Sequence, residues 1–115
     1  MTPDHVRLTA DDLGAPLGRR ATLVQFSSTF CAPCRATRRV LERVVATDDG
    51  VAHVELDVAD RTDLSEALRV DVTPTVLVLD ADGVVVRRAS GAPSLAQARA
   101  AVTLAGSRPA QMQPS

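Results

Sequence analysis

The chain has no tryptophan and no tyrosine, and its only aromatic side chains are Phe26 and Phe30. It also lacks lysine, asparagine and isoleucine, so every basic residue is an arginine, and the formal net charge is −1. A nucleic-acid interface needs a basic field or stacking rings, and neither is present, so nucleic acid is set aside as a partner. The all-arginine bias fits the coding preference of a GC-rich genome better than a functional selection. No apolar run is long enough to cross a bilayer, so no membrane partner is expected. The first 18 residues contain no uninterrupted apolar stretch, carry Asp4, Asp11 and Asp12, and do not read as a signal peptide. A cytoplasmic location is the resulting expectation, although a mature exported domain without its leader would read the same way.

Cysteine is scarce as well, with two in 115 residues, but both fall in one stretch, Phe30-Cys31-Ala32-Pro33-Cys34. In a cytoplasmic chain that spacing points to catalysis or metal binding before a structural disulfide. Zinc within one chain is disfavoured, because two cysteines and two dispersed histidines, His5 and His53, do not make a regular four-ligand set. A site shared between chains stays open. The apolar segment Leu23-Val24-Gln25-Phe26 precedes the cysteines, and a helical stripe of Val40, Leu41, Val44 and Val45 follows them. The pair is therefore expected where a strand turns into a helix. Unpaired N–H groups and the positive dipole end of the helix stabilise a thiolate there.

An apolar content of 45% is enough for one domain with one core. That domain is placed at residues 1–106, with 107–115, rich in Pro, Gln, Ser and Ala, expected as a disordered tail. In order, His5 to Leu8 is read as a short edge strand, and Thr9 with Asp11 and Asp12 suits the start of a brief helix limited by Gly14. Residues 21 to 26 read as a central strand, apolar on both faces except at Gln25. The helix from Pro33 to Ala46 turns Arg35, Arg38, Arg39 and Arg43 away from its apolar stripe. These are read as a solvated face, with Arg35 the one placed to add positive potential at the cysteines. Val51 to Val58 is a strand by β-branched content, its alternation broken at His53. A short helix, Asp63 to Val70, has Asp63 as its cap and Glu66 three residues later. Thr75 to Leu79 and Val84 to Ala89 form an antiparallel pair about Asp82-Gly83. A final helix opens with the capping box of Ser94 and Gln97 and ends at Gly106.

The element order is thus β-α-β-α-β-α-β-β-α, with Cys-x-x-Cys at the second strand-to-helix junction and Thr73-Pro74-Thr75 opening the fourth strand. With Asp82-Gly83 and Gly91-Ala92 in sequence behind them, these motifs make residues 5 to 105 resemble the thioredoxin family. The resemblance implies an α/β fold: a central mixed sheet with helices on both faces and a C-terminal β-hairpin plus helix. It implies Cys31 as nucleophile and Cys34 as resolving thiol, working as a redox-active disulfide without a cofactor or metal. Pro33 lies early in the helix, where its missing N–H costs nothing and its fixed φ stiffens the site. The resemblance makes Pro74 a cis-proline against the cysteines. Phe30, Ala32, Pro33, Thr73, Pro74, Gly91 and Ala92 become the substrate-binding surface, the Thr73 backbone pairing with an extended segment.

Departures from the family pattern bear on the mechanism. Ser27 and Phe30 replace two tryptophans, Ala32 replaces a glycine, and Arg39 stands where the helix usually has a kink proline. Gln25 occupies the position of a buried aspartate that helps deprotonate the resolving cysteine, and His53 aligns with the lysine beside it. Replacing both members of such a pair can be nearly neutral, whereas losing one strands a charge. His53 is then either a packed polar residue or a substitute proton acceptor acting through Gln25 or a water. Gln25, Arg35 and His53 are accordingly the modulating candidates. The expected activity is thiol–disulfide exchange that reduces protein disulfides, with a reductase as electron donor, in a monomeric protein of electron transport and cell redox homeostasis. The alternative is a binding or chaperone-like module with low redox turnover.

Overall fold

The computed structural model describes residues 6–106. Its elements are α1 (Ala10–Leu13), β1 (Ala21–Ser27), α2 (Ala32–Ala46), β2 (Val51–Asp57), α3 (Thr62–Ala67), β3 (Thr75–Asp80), β4 (Val85–Ser90) and α4 (Leu95–Gly106). The four strands lie in the order β2-β1-β3-β4, with β1 parallel to β2 and antiparallel to β3, and β3 antiparallel to β4. The mixed sheet implied by the family resemblance is present. All seven residues of β1 are buried, which explains its nearly unbroken apolar composition.

The core is split by the sheet. On one face Leu23, Val76 and Val78 pack with Leu41 and Val44 of α2 and Val102 and Ala105 of α4. On the other, Val24, Phe26, Leu56, Leu77 and Leu79 pack with Leu13 of α1 and Leu64 of α3. Each fully buried leucine or phenylalanine contributes about 1.5–3 kcal/mol by leaving water. Successive strand residues face opposite sides. Gln25 therefore lies on the α2 face with Leu23, and His53 and Glu55 lie on that same face with Val51. What reads as a broken alternation in β2 is a polar strip aimed at α2.

Two elements differ from expectation. The edge strand placed at His5 to Leu8 is reduced, among the described residues, to one bridge, Arg7 opposite Val84, flanked by Leu8 N–H to Gly83 O and Val85 N–H to Val6 O. The cause is local: Thr9 and Asp12 form a reciprocal capping box that starts α1 at once and leaves no length for a strand. His5 lies outside the described residues. The helix placed at Asp63 to Val70 is shorter and lacks the expected cap. Arg61 is the N-cap without a side-chain bond, and Asp63 pairs with Arg61 instead. Beyond it Arg69 takes a left-handed φ of 55°, and Arg88 binds the carbonyls of Leu68 and Arg69, both at 2.6 Å. By contrast the capping box of Ser94 and Gln97 is formed in both directions. The tail placed at 107–115 lies outside the described residues.

The Asp82-Gly83 turn is held by Asp80, whose Oδ1 accepts from the N–H groups of Asp82 and Val84 at 2.9 and 3.0 Å. Gly83 has φ 88°, and a Cβ there would collide with the Leu8 carbonyl, so glycine is required on both counts.

Candidate active site

Cys31 and Cys34 are joined in a disulfide with Cα atoms 5.2 Å apart. Cys31 is the N-cap of α2, and Pro33 occupies the first turn, where its missing N–H leaves no helical bond unmade. The Cys34 N–H points at Cys31 Sγ from 3.1 Å, a donor already in place for a thiolate on that sulfur. The two sulfurs differ in access: Cys31 is half-buried, whereas Cys34 is 1% exposed. Before them Phe30 is 96% exposed with φ 59°. A left-handed aromatic residue costs on the order of 1 kcal/mol, and here it turns an apolar ring outward beside the nucleophile.

Beneath Cys34 runs a chain of hydrogen bonds whose direction can be assigned. The Cys34 carbonyl can only accept, so the group facing it at 2.8 Å is the amide nitrogen of Gln25. The same nitrogen donates to Ser27 Oγ at 3.0 Å, and Ser27 donates in turn to Glu55 Oε2 at 2.7 Å. Gln25 Oε1 is left as an acceptor, so His53 Nε2, 3.0 Å away, carries the proton. Glu55 ends the chain and is gripped by Arg38 through two bonds of 2.6 and 2.8 Å. Every link runs from His53 towards the carboxylate. Of the two readings of His53, proton uptake through Gln25 meets a nitrogen that already carries a proton, and the packed polar residue fits the arrangement better. Burial pushes the His53 imidazole down, only partly opposed by the charge of Glu55. The hydrogen bond from Arg38 holds the Glu55 carboxyl low, against a smaller effect of burial and with help from Ser27.

The remaining candidates divide between two cavities. One, of about 420 Å³, is lined by Phe30, Cys31, Cys34 and Arg35 together with Ser27, Thr29, Arg38, Glu55 and Asp57. Thr73 is joined to this loop by a 2.8 Å hydrogen bond between its hydroxyl and that of Ser28. The Thr73–Pro74 peptide is cis, and Pro74 is fully buried. Gly91 donates its N–H to the Pro74 carbonyl at 2.8 Å. Gly91 and Ala92 nevertheless line a separate cavity of about 550 Å³ between β4 and α4, with neither sulfur on its wall. Their link towards the dithiol loop is the hydrogen bond from Gly91 to Pro74, next to Thr73. Ala32 is exposed in the first turn of α2.

The thioredoxin family model matches residues 8–103. The chain belongs to the thioredoxin family. It is 38% identical to the mitochondrial thioredoxin of Bos taurus over 58 residues, which is 50% of this chain and 35% of that protein. It is 31% identical to a thioredoxin of Staphylococcus epidermidis over 74 residues, 64% of this chain and 71% of that one. The chain thus spans about a third of the mitochondrial relative's length. A crystal structure of chloroplastic thioredoxin z superposes with a TM-score of 0.70 at 28% identity, covering 90% of this chain and 95% of that one.

Two side chains joined to the site escape a reading of the sequence. Arg38 belongs to the helix face read as solvated, and Glu55 carries no motif, yet together they close the hydrogen-bond chain under Cys34. A signal for Glu55 existed. In β2 His53, Glu55 and Asp57 are two apart, which puts all three on one face, and β1 pairs with β2 so that Glu55 sits directly beside Gln25.

Proposed function

We propose that this protein is a thiol–disulfide oxidoreductase that reduces protein disulfides through Cys31 and Cys34. The observation that carries the reading is a disulfide at the start of α2 with one accessible and one buried sulfur, in a thioredoxin-family chain. In the reduced protein the Cys31 thiolate attacks a substrate sulfur, forms a mixed disulfide and expels the other substrate sulfur as a thiolate, which takes a proton from solvent. Cys34 then loses its proton to solvent and attacks Cys31 Sγ. The Cys31–Cys34 bond forms and the second substrate thiol leaves, so two protein thiols are oxidised and one substrate disulfide is reduced. The Pro33 spacer, shared with reducing members of the family, favours the reductive direction, with a reductase resetting the disulfide. A monomeric, cytoplasmic protein is part of the same proposal.

A second reading, a binding module that holds partners with little turnover, is favoured by one observation. The groups hydrogen-bonded beneath Cys34 include none poised to take its proton. Insulin reduction with dithiothreitol as electron source separates the two. Turnover that depends on Cys31 is expected; binding of reduced substrates without such turnover would favour the module instead.

A further inference from the structure

The wall of the 420 Å³ cavity at the dithiol carries four charged side chains, two of each sign: Arg35, Arg38, Glu55 and Asp57. Arg38 and Glu55 are bound to each other through a two-pronged contact, so their charges largely cancel. Arg35 and Asp57 form no ion pair with one another, nor does either join the ion pairs seen among the described residues, Arg20–Asp48, Arg38–Glu55 and Arg61–Asp63. Asp57 spends one oxygen on the Ala59 N–H at 2.7 Å. The volume falls in the range of small-ligand sites, but the wall is hydroxylated and charged, and its one large apolar side chain, Phe30, is turned to solvent.

We infer that this cavity selects low-molecular-mass disulfides of zwitterionic thiols, with Arg35 taking the ligand carboxylate and Asp57 its ammonium group while Cys31 meets the sulfur. The inference rests on the thiol–disulfide reading and names a substrate class for the same site. A lone anion would gain Arg35 and be opposed by Asp57, and a lone cation would meet the reverse; a ligand with both groups satisfies both. A small disulfide also has too little backbone to pair along Thr73, so these side chains must supply its recognition. The chemistry balances without a further reagent. Cys31 as thiolate displaces one thiol from the disulfide, Cys34 loses its proton to solvent and displaces the second, and the protein dithiol ends as the Cys31–Cys34 disulfide.

The test is oxidation of the reduced protein by cystine, cystamine, dithiodipropionate and hydroxyethyl disulfide, which carry both charges, positive, negative and none. Each rate is divided by that of the same disulfide with free dithiothreitol, which removes its intrinsic reactivity. Two exposed charge contacts predict a normalised preference for cystine over hydroxyethyl disulfide of about tenfold at low salt, shrinking as salt is added. Arg35→Gln should lower the cystine and dithiodipropionate values relative to hydroxyethyl disulfide by about threefold, and Asp57→Asn those of cystine and cystamine. Ratios within one variant cancel any change in Cys31 nucleophilicity. Equal normalised rates for cystine and hydroxyethyl disulfide, or variants that scale all four alike, overturn the inference while leaving thiol exchange standing. Failure to react with any of the four or with insulin overturns both.

Discussion

Cys31 and Cys34 are 5.2 Å apart at Cα, yet Cys31 stands at the accessible end of α2 while Cys34 is 1% exposed above a directed hydrogen-bond chain. The surroundings of Cys31 are made locally, by the helix start, the Cys34 N–H and Arg35 a few residues on. Those of Cys34 are made at a distance, by Gln25 and Ser27 of β1 and His53 and Glu55 of β2. A nucleophile can be built by a short motif, whereas the environment of the resolving thiol depends on the tertiary fold. Here the second is built from an amide, a hydroxyl, an imidazole whose proton affinity burial lowers and a carboxyl that Arg38 holds low.

The comparison is broken most directly at the sulfurs. Cys31→Ser should lower disulfide turnover by a factor on the order of 10³ or more, because no other accessible nucleophile replaces it. Cys34→Ser should leave the first attack intact and stop there, holding substrates as mixed disulfides visible on non-reducing gels. The wild type should itself show slow resolution, as a mixed disulfide persisting measurably in quenched single-turnover reactions. Resolution too fast to observe would mean that Cys34 has a proton acceptor after all.

The next largest effect is expected at Gln25. Gln25→Leu keeps the volume but removes the partners of the Cys34 carbonyl, of Ser27 and of His53 Nε2. Leaving such groups unpaired should cost about 2–3 kcal/mol, read as a lower denaturant midpoint at unchanged slope. A loss below about 0.5 kcal/mol would show that these groups find other partners and that the chain is not held as a unit.

The same division decides what could be read in advance. The Cys-x-x-Cys at a strand-to-helix junction, Pro33, the hairpin and the last helix declare themselves through short-range rules of spacing, turn residues and capping, and the described structure places them accordingly, whereas the cis form of Thr73-Pro74 is implied only by the family resemblance. At the first edge strand and the α3 cap two local rules compete: the Thr9 box wins over strand extension, and the Arg61–Asp63 pair wins over capping. Arg38 and Glu55 are illegible in the sequence for a different reason. An arginine on a polar helix face and a glutamate in an edge strand each look solvated alone, and their bond exists only because β2 lies parallel to β1 under α2.

Glu55 gives a smaller effect with a defined sign. Arg38 holds its carboxyl below the ordinary value, so the folded state binds that proton less readily than the unfolded chain. The stabilisation is therefore present above the unfolded value of about 4.3 and is lost as pH falls through the folded value. Glu55→Gln should flatten this acid limb of the stability profile. Because the side chains of Arg38 and Glu55 are 40% and 25% exposed, solvent screens the pair, and the cost at neutral pH should be about 0.5–1 kcal/mol. An acid limb unchanged in the variant would place the titrating group elsewhere.

His53 should matter least to catalysis. Its Nε2 proton is committed to Gln25 and burial lowers the imidazole's proton affinity, which argues against its receiving the Cys34 proton by that route. The pH profile of disulfide reduction by His53→Ala should overlay that of the wild type, with any loss appearing as a uniform offset. Stability supplies the complementary readout. A histidine whose folded pKa is depressed stabilises the native state above its unfolded value of about 6.5, and that contribution fades as pH falls towards the folded value. Removing the ring should therefore flatten the stability profile just below neutrality, at higher pH than the flattening due to Glu55→Gln. A displaced pH–rate profile with an unchanged stability profile would reverse the assignment, making His53 the acceptor and the directed chain beneath Cys34 only a scaffold.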